Sequence, residues 1–269
     1  MTEIEGPPQP KEHPLSSWKV VVTRPLHQSA GLVAGLSARG AHVVAMPTIT
    51  IDAPSDGGEA LREAAGRVDE FEWVVFTSEN AVEAFFAEVE DAGAFDGVRV
   101  AAIGPGTREV LSRLGVAASL VPARFVGESL VEAFPSPHRS GRVLLPRSAQ
   151  ARDVVPEGLR KLGFVVDVVE AYRTNPAAPS AEARAAAKSA DAITFTSSST
   201  VTGYLTFSAA DDLPPVVATI GPVTAATARS LGVPVDVEAA VHSSEGLVEA
   251  LCRFADANGP PSRDRSRRS

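Results

Sequence analysis

The sequence predicts an α/β protein made of two similar doubly wound domains on parallel sheets, facing each other across an interdomain cleft. Three observations predict it. Short β-branched runs alternate with helical stretches, as strand–helix–strand units require. The strand candidates are apolar without interruption, as in Trp73-Val-Val-Phe76, which suits strands covered on both faces. The third observation is an internal duplication, which implies two like domains, and like domains commonly share a cleft.

The duplication runs at more than one offset. Trp73-Val-Val-Phe-Thr-Ser-Glu-Asn-Ala81 is answered by Ala192-Ile-Thr-Phe-Thr-Ser-Ser-Ser-Thr200, 119 positions on, with Phe76 falling on Phe195. Ile103-Gly-Pro-Gly-Thr107 is answered by Ile220-Gly-Pro-Val-Thr224 at 117, and Glu128 falls on Glu245 in that register. Val20-Val-Val-Thr-Arg24 is answered by Val143-Leu-Leu-Pro-Arg147 at 123, which also carries Leu36 onto Leu159 and Gly40 onto Gly163.

Taken in order, a strand is expected at Trp18–Thr23, a helix at Ala30–Ala38 and a strand at Val43–Met46. The next group is a strand at Trp73–Thr77, a helix at Val82–Val89, a strand at Val98–Ile103, a helix at Thr107–Leu114 and a strand at Ser119–Val121. Strands at Val143–Leu145 and Val165–Val169 flank a helix at Gly158–Leu162. The last group is a helix at Glu182–Lys188, strands at Ala192–Thr196 and Val216–Ile220, a helix at Thr224–Leu231 and a strand at Val235–Val237. Gly40, Gly115, Gly163 and Gly232 follow the last helical residues, where a left-handed capping residue belongs.

Two divisions of the chain fit this order. One cuts at the linker-like Pro135-Ser-Pro-His-Arg-Ser-Gly141. The other, which the unequal offsets permit, joins the first strand–helix–strand unit to the last segments and makes the middle an insertion. The crossings would then lie at Pro47–Ala53 and Glu170–Asn175, matching points of the repeat.

The 269 residues are enough for two modest domains, and 44% hydrophobic with 22% charged residues is a globular composition. Cys252 is the sole cysteine, which rules out an internal disulfide and suits a reducing compartment. There is no run of about 18 apolar residues, and Met1 to Pro14 is polar and proline-rich, unlike a secretory signal. A cytoplasmic protein without membrane contact is expected. Net charge is −8, yet Gly259 to Ser269 holds four arginines and one aspartate. That tail reads as disordered chain, and the acidic body argues against a nucleic-acid groove.

Four turns stand where strands end and helices begin: Thr77-Ser-Glu-Asn80, Gly104-Pro-Gly-Thr107, Thr196-Ser-Ser-Ser-Thr200 and Gly221-Pro-Val-Thr224. Ligands of open α/β sheets collect outside the carboxyl ends of strands. Each turn offers free helix-start amides and hydroxyl donors. For one turn, simple capping is the plainer explanation. Four, duplicated, point to a large ligand with anionic groups on several sides, since one helix end contributes only about 0.3–1 kcal/mol to an exposed anion.

Gly104-Pro-Gly106 lacks the third glycine of a dinucleotide loop, with Glu109 in its place, and no phosphate-binding lysine loop is present. His13, His27, His42, His138 and His242 have no metal-ligand spacing with one another or with Cys252, so no metal is expected. Arg24 and Arg147 hold matching strand ends and read either as braces of their own loops or as a pair of carboxylate clamps. Tyr172 falls in the second crossing and reads as seam packing or, if it faces the ligand, as a proton donor.

Together these residues resemble the uroporphyrinogen-III synthase family. The matching pieces are Val22-Thr-Arg-Pro25, Gly40 to Pro47, Phe76-Thr-Ser78, Ile103-Gly104, Gly127 to Ala133, Leu144 to Arg147, Val169 to Thr174, Phe195 to Ser199 and Ile220-Gly-Pro-Val-Thr224. The match runs from Val20 to about Leu251, and its specificity lies in order and spacing. The resemblance implies the nested arrangement: residues 15–50 plus 175–256 as one domain, 51–174 as an inserted second, and a two-strand connector. Disordered ends are expected at 1–14 and 257–269. It implies a cyclising hydro-lyase of tetrapyrrole (heme) biosynthesis. Linear hydroxymethylbilane, with eight carboxylates, would lose water and close to uroporphyrinogen III with its terminal pyrrole inverted. Tyr172 matches the family's donor to the departing hydroxyl. Ser78, Thr107, Ser197 and Thr224 match its cleft hydroxyls, and Ser199, Arg24 and Arg147 join the expected substrate contacts. No cofactor, no nucleic acid, a monomer, and transient contact with the preceding pathway enzyme are further expectations.

Two other functions are open to such a chain. A non-enzymatic tetrapyrrole-binding regulator with the same body would carry a DNA-binding module, for which nothing past Leu251 is long enough. A sugar-phosphate enzyme would concentrate its phosphate turns in one domain.

Overall fold

The computed structural model describes residues 13–89, 92–138 and 141–261. In chain order the first elements are β1 (Lys19–Val22), α1 (Ala30–Ala38), β2 (His42–Ala45), β3 (Ile49–Asp52), α2 (Glu59–Ala65), β4 (Trp73–Phe76), α3 (Glu79–Phe86) and β5 (Arg99–Ala102). Next come α4 (Pro105–Arg113), α5 (Gly127–Ala133), β6 (Arg142–Ser148), α6 (Val154–Lys161) and β7 (Val165–Pro176). The last are α7 (Ala181–Ala187), β8 (Ala192–Phe195), α8 (Ser198–Phe207), β9 (Val216–Thr219), α9 (Pro222–Ser230), β10 (Val237–Glu238) and α10 (Ser244–Asn258). The chain forms two compact units, Met1–Thr50 with Pro176–Ser269, and Ile51–Asn175. It passes from one to the other within β3 and returns at the end of β7.

The first unit is built on a sheet of order β10-β9-β8-β1-β2 with parallel pairing throughout. Successive side chains of a strand point to opposite faces, and here both faces are buried. Val20 and Val22 enter a core with Trp18, Leu32, Leu36, Leu247 and Leu251, under α1 and α10. Val21 enters the opposite core with Ile193, Phe195, Val201, Tyr204 and Val217, under α8 and α9. An uninterrupted apolar strand is thus the only kind that fits, because no face of it meets water.

The second unit repeats the plan with sheet order β3-β7-β6-β4-β5. Val74 and Phe76 pack with Val82, Phe85, Phe95 and Leu111. Trp73 and Val75 pack on the other face with Leu130, Val143, Leu145 and Leu159. The duplication is visible in the register itself: Val20 pairs with Ala192 in one unit and Val143 with Trp73 in the other, the predicted counterparts. The offsets differ because β1 precedes the insertion that holds its counterpart β6, whereas β8 follows the insertion that holds its counterpart β4.

Several expected elements differ. Ser119–Val121 makes only one parallel bridge, Ala101 to Leu120, the counterpart of the Ala218–Val237 pair that anchors the two-residue β10. Two pairs of edge residues do not suffice for a longer strand. The extended crossings are themselves strands, β3 and the twelve-residue β7. α10, the longest helix at 15 residues, runs through Asn258 and so takes Ala257 and Asn258 out of the expected disordered tail. Ser243 starts it by accepting from the Gly246 amide at 3.0 Å, and Leu247, Leu251 and Ala255 bury one stripe of it. The rest of the tail from Ser262, like residues 1–12, lies outside the described residues. The four capping glycines carry positive φ, from 76° at Gly232 to 95° at Gly163, a region other residues rarely enter.

The repeat also duplicates a buried carboxylate just before an inner strand, β8 in one unit and β4 in the other. Asp191, 3% exposed, accepts from the Lys19 amide at 2.7 Å. Glu72, 2% exposed, accepts from the amides of His138 (3.1 Å) and Gly141 (3.0 Å) and pairs with the Arg99 guanidinium. Arg99 in turn lies over the Trp73 ring, 4.4 Å from its centroid.

Candidate functional site

The four hydroxyl-bearing turns form two geometries. Ser78 and Ser197 are N-caps: each is extended, and each hydroxyl accepts from the amide three residues on, Ala81 at 3.1 Å and Thr200 at 3.2 Å. Ser197 completes a capping box with Thr200, and its hydroxyl lies 2.8 Å from that of Ser199. Capping therefore accounts for Ser197 and engages Ser78 in part.

At α4 and α9 the N-cap is a glycine, Gly104 or Gly221, followed by proline at the first helical position. Neither helix has a side-chain cap. Thr107 and Thr224 stand third in these helices, each 4% exposed. Neither hydroxyl has a partner among the described residues. The Trp73 indole nitrogen is the one fully sealed side-chain polar atom without a partner there, so both threonine hydroxyls remain reachable. Solvent can satisfy both hydroxyls, and each stays available to a ligand that displaces it.

Tyr172 is the expected donor, and the structure brings it to Ser78. Its phenol donates to the Ser78 hydroxyl at 3.0 Å while the residue is 9% exposed, in the core with Phe76, Val82 and Leu144. Burial pushes its pKa above the ordinary value, opposed by hydrogen bonds with Ser78, Asn80 and Ser148. A phenol so placed keeps its proton across the physiological range, as a donor must.

What turns Tyr172 toward Ser78 is a β-bulge. β6 and β7 pair residue for residue up to Arg147 with Glu170, and then Ser148 pairs with Tyr172, skipping Ala171. Val166 faces the Trp73 core, whereas Val169 and Ala171 face the Phe76 core. Strict alternation would send Tyr172 to the Trp73 side; the extra residue sends it to the Phe76 side, beside α3. Sequence patterning carries no signal for this.

The two arginines part company. Arg147 donates to the Arg152 carbonyl at 3.0 Å and to the Asp153 carboxylate at 2.6 Å. Its fork is spent on its own loop, which favours the bracing role over a clamp. Arg24 is half-buried just past β1 and has interactions of its own. Three neighbours escape sequence reasoning. The Glu79 carboxylate occupies the space a side chain on Gly106 would need, and the rings of Phe125 and His242 lie over Gly104 and Gly221. The repeat register is the available signal, since Phe125 and His242 are 117 apart. Among the described residues, no three His, Cys, Asp or Glu side chains converge as a metal site, and no helix is long and apolar enough to cross a membrane.

A duplicated α/β fold whose strand–helix turns carry reachable hydroxyls is the kind that binds small molecules at its strand ends. Comparison with known proteins narrows that class. The family described as Uroporphyrinogen-III synthase HemD matches residues 30–249. The uroporphyrinogen-III synthase of Synechococcus elongatus is 34% identical over 91% of this chain and 98% of its own length. Among solved structures, a mutant uroporphyrinogen III synthase of Thermus thermophilus superposes with a TM-score of 0.62 at 18% identity, covering 90% of this chain and 98% of that one. The Helicobacter pylori uroporphyrinogen-III synthetase does so at 0.57 and 15% identity, over 88% and 99%; at such identities the likeness concerns the fold. The chain belongs to the uroporphyrinogen-III synthase family.

Proposed function

We propose that this enzyme closes hydroxymethylbilane to uroporphyrinogen III, with Tyr172 as the acid that releases the terminal hydroxyl as water. The observation that carries the proposal is the buried Tyr172 phenol, protonated and aimed at the Ser78 turn. The hydroxyl leaves with the phenol's proton, and the electron-rich pyrrole becomes an azafulvene. Attack through the substituted carbon of the last ring gives a spiro intermediate, which fragments and recloses with that ring inverted. The proton lost when the final ring regains aromaticity restores the phenol, so hydroxymethylbilane goes to macrocycle and water with no redox change.

Uncatalysed closure gives the uninverted isomer, so the protein's main task is positioning. Holding one ring carbon against the azafulvene is an effect that can be as large as about 7–11 kcal/mol. The reachable hydroxyls and uncapped amides of α4 and α9 suit the substrate's carboxylates. The chemistry needs no cofactor. The setting we infer is a cytoplasmic monomer that receives its unstable substrate from the preceding pathway enzyme.

The purified chain, given enzymatically made hydroxymethylbilane with chelator and no added cofactor, should shift the oxidised product from isomer I to isomer III. Product left as isomer I overturns the function; dependence on an added metal or nucleotide overturns the mechanism.

Thr107→Ala and Thr224→Ala should each lower turnover, by about tenfold if a charge-assisted hydrogen bond is lost. Their melting temperatures should hold, because neither hydroxyl has a partner inside the fold. Changes in melting temperature alone would return both threonines to packing.

A further inference from the structure

The two glycine-capped turns are built on one plan, yet their neighbours differ in a chemically pointed way. In the second unit the Glu79 carboxylate fills the place of a Gly106 side chain at the start of α4. Phe125 lies over Gly104, its ring 3.5–3.8 Å from where a Cβ would stand. That helix start thus has an internal anion and an apolar wall. In the first unit the counterpart of Glu79 is Ser198, whose hydroxyl lies 2.7 Å from that of Thr227. The counterpart of Phe125 is His242, whose Cδ2, Cγ and Nε2 would lie 2.8, 3.0 and 3.2 Å from a Cβ on Gly221. The counterpart of Gly106 is Val223, 43% exposed. No carboxylate replaces Glu79 there, and the wall is an imidazole.

The corner around His242 also joins two helix starts, with Glu245 in the first turn of one of them. His242 rests on the N-cap of the nine-residue α9 and directly precedes Ser243, the N-cap of the fifteen-residue α10. Two helix amino ends therefore lie against one ring. The reachable, unpartnered hydroxyl of Thr224, 4% exposed, belongs to the same turn.

We propose that His242 is a substrate-binding residue: with Thr224 it holds a carboxylate arm of the tetrapyrrole at the amino end of α9, whereas beside Thr107 at α4 the equivalent place holds the Phe125 ring and offers no second donor. This rests on the synthase function proposed above. An imidazole N–H donates to the carboxylate, and the ring's contact with Gly221 fixes its orientation, since any side chain at that glycine would displace it. The duplicated fold thereby acquires a direction, with anion-binding chemistry weighted to one copy.

The test is H242F, which installs the ring the other unit already accommodates at this place, beside the rescue variant H242Q, which keeps an N–H donor. Steady-state kinetics with hydroxymethylbilane should show KM raised about tenfold in H242F with kcat within about twofold of wild type, and H242Q recovering most of the loss. The share of isomer III should hold in both, because an arm contact sets affinity rather than the point of ring attack. If H242F does not fold, H242A is measured in its place. A KM within about twofold of wild type in the folded variant, or an H242Q as impaired as H242F, overturns the assignment while wild-type production of isomer III leaves the synthase function standing. A wild-type chain that makes only isomer I overturns both.

Discussion

Tyr172→Phe will lower kcat by about a hundredfold or more, the range of a lost general acid, and leave the isomer III share nearly unchanged. Proton delivery to the leaving hydroxyl and steering of ring attack are separate tasks, and the variant removes only the first. The phenylalanine ring keeps the packing with Phe76, Val82 and Leu144, while Ser78 retains the Ala81 amide as partner. The melting temperature should therefore move little. Burial holds the wild-type phenol above its usual pKa, so the alkaline limb of kcat due to this group should lie above about pH 10. The same sign governs stability. The folded state favours the neutral phenol, a contribution fully present below the unfolded value near 10 and lost as pH rises through the higher folded value. Steady-state rates with isomer analysis, and a kcat profile to about pH 10.5, check both statements. Wild-type rates in the variant would remove Tyr172 as the acid.

Glu72→Ala will cost the second unit about 2 kcal/mol or more, as expected when buried amides lose a charged acceptor. The amides of His138 and Gly141 lose their acceptor, and Arg99 loses its carboxylate. Because Trp73 and Trp18 are the only tryptophans and lie in different units, fluorescence separates the two. In a Trp18→Phe background the Trp73 urea transition should move down. In a Trp73→Phe background the Trp18 transition should stay. A shift of both, or of neither, would contradict the confinement of this carboxylate's role to its own unit.

Much of the fold was legible because periodicity and duplication are one-dimensional signals. The strands from Trp73, Ala192 and Val216 follow from apolar runs that both faces of a sheet must bury. Gly40, Gly115, Gly163 and Gly232 mark helix ends because the left-handed conformation needs them. Edge elements were less legible. Ser119–Val121 and Val237 have the same composition as inner strands, and only the number of partners decides whether a strand extends. α10 is amphipathic from Leu247 to Ala255, and its first turns repeat α5 at the 117 offset, Leu130-Val-Glu-Ala133 on Leu247-Val-Glu-Ala250, a signal that the single Glu128–Glu245 match only touches.

The candidate site's hydroxyls could be listed from the sequence, and their surroundings could not. Thr107, Thr224 and Ser78 could be located by repeat and turn chemistry. Arg147 looked the same as a clamp until Asp153 and the Arg152 carbonyl were seen to fill its fork. Glu79 and His242 depend on how neighbouring loops approach a glycine, which no local pattern encodes. A glycine in the sequence states only that space is needed, not what fills it.

The single skipped residue between β6 and β7 makes the position of the proposed acid a matter of parity. Pairing Ser148 with Ala171, with no residue skipped, would carry the phenol through the sheet to the side of Trp73 with composition and charge unaltered. The register of β7 on β6 is therefore under a constraint that the presence of a tyrosine in the sequence does not reveal. A chain could keep every residue of this strand and still lose its acid by a slip of one position.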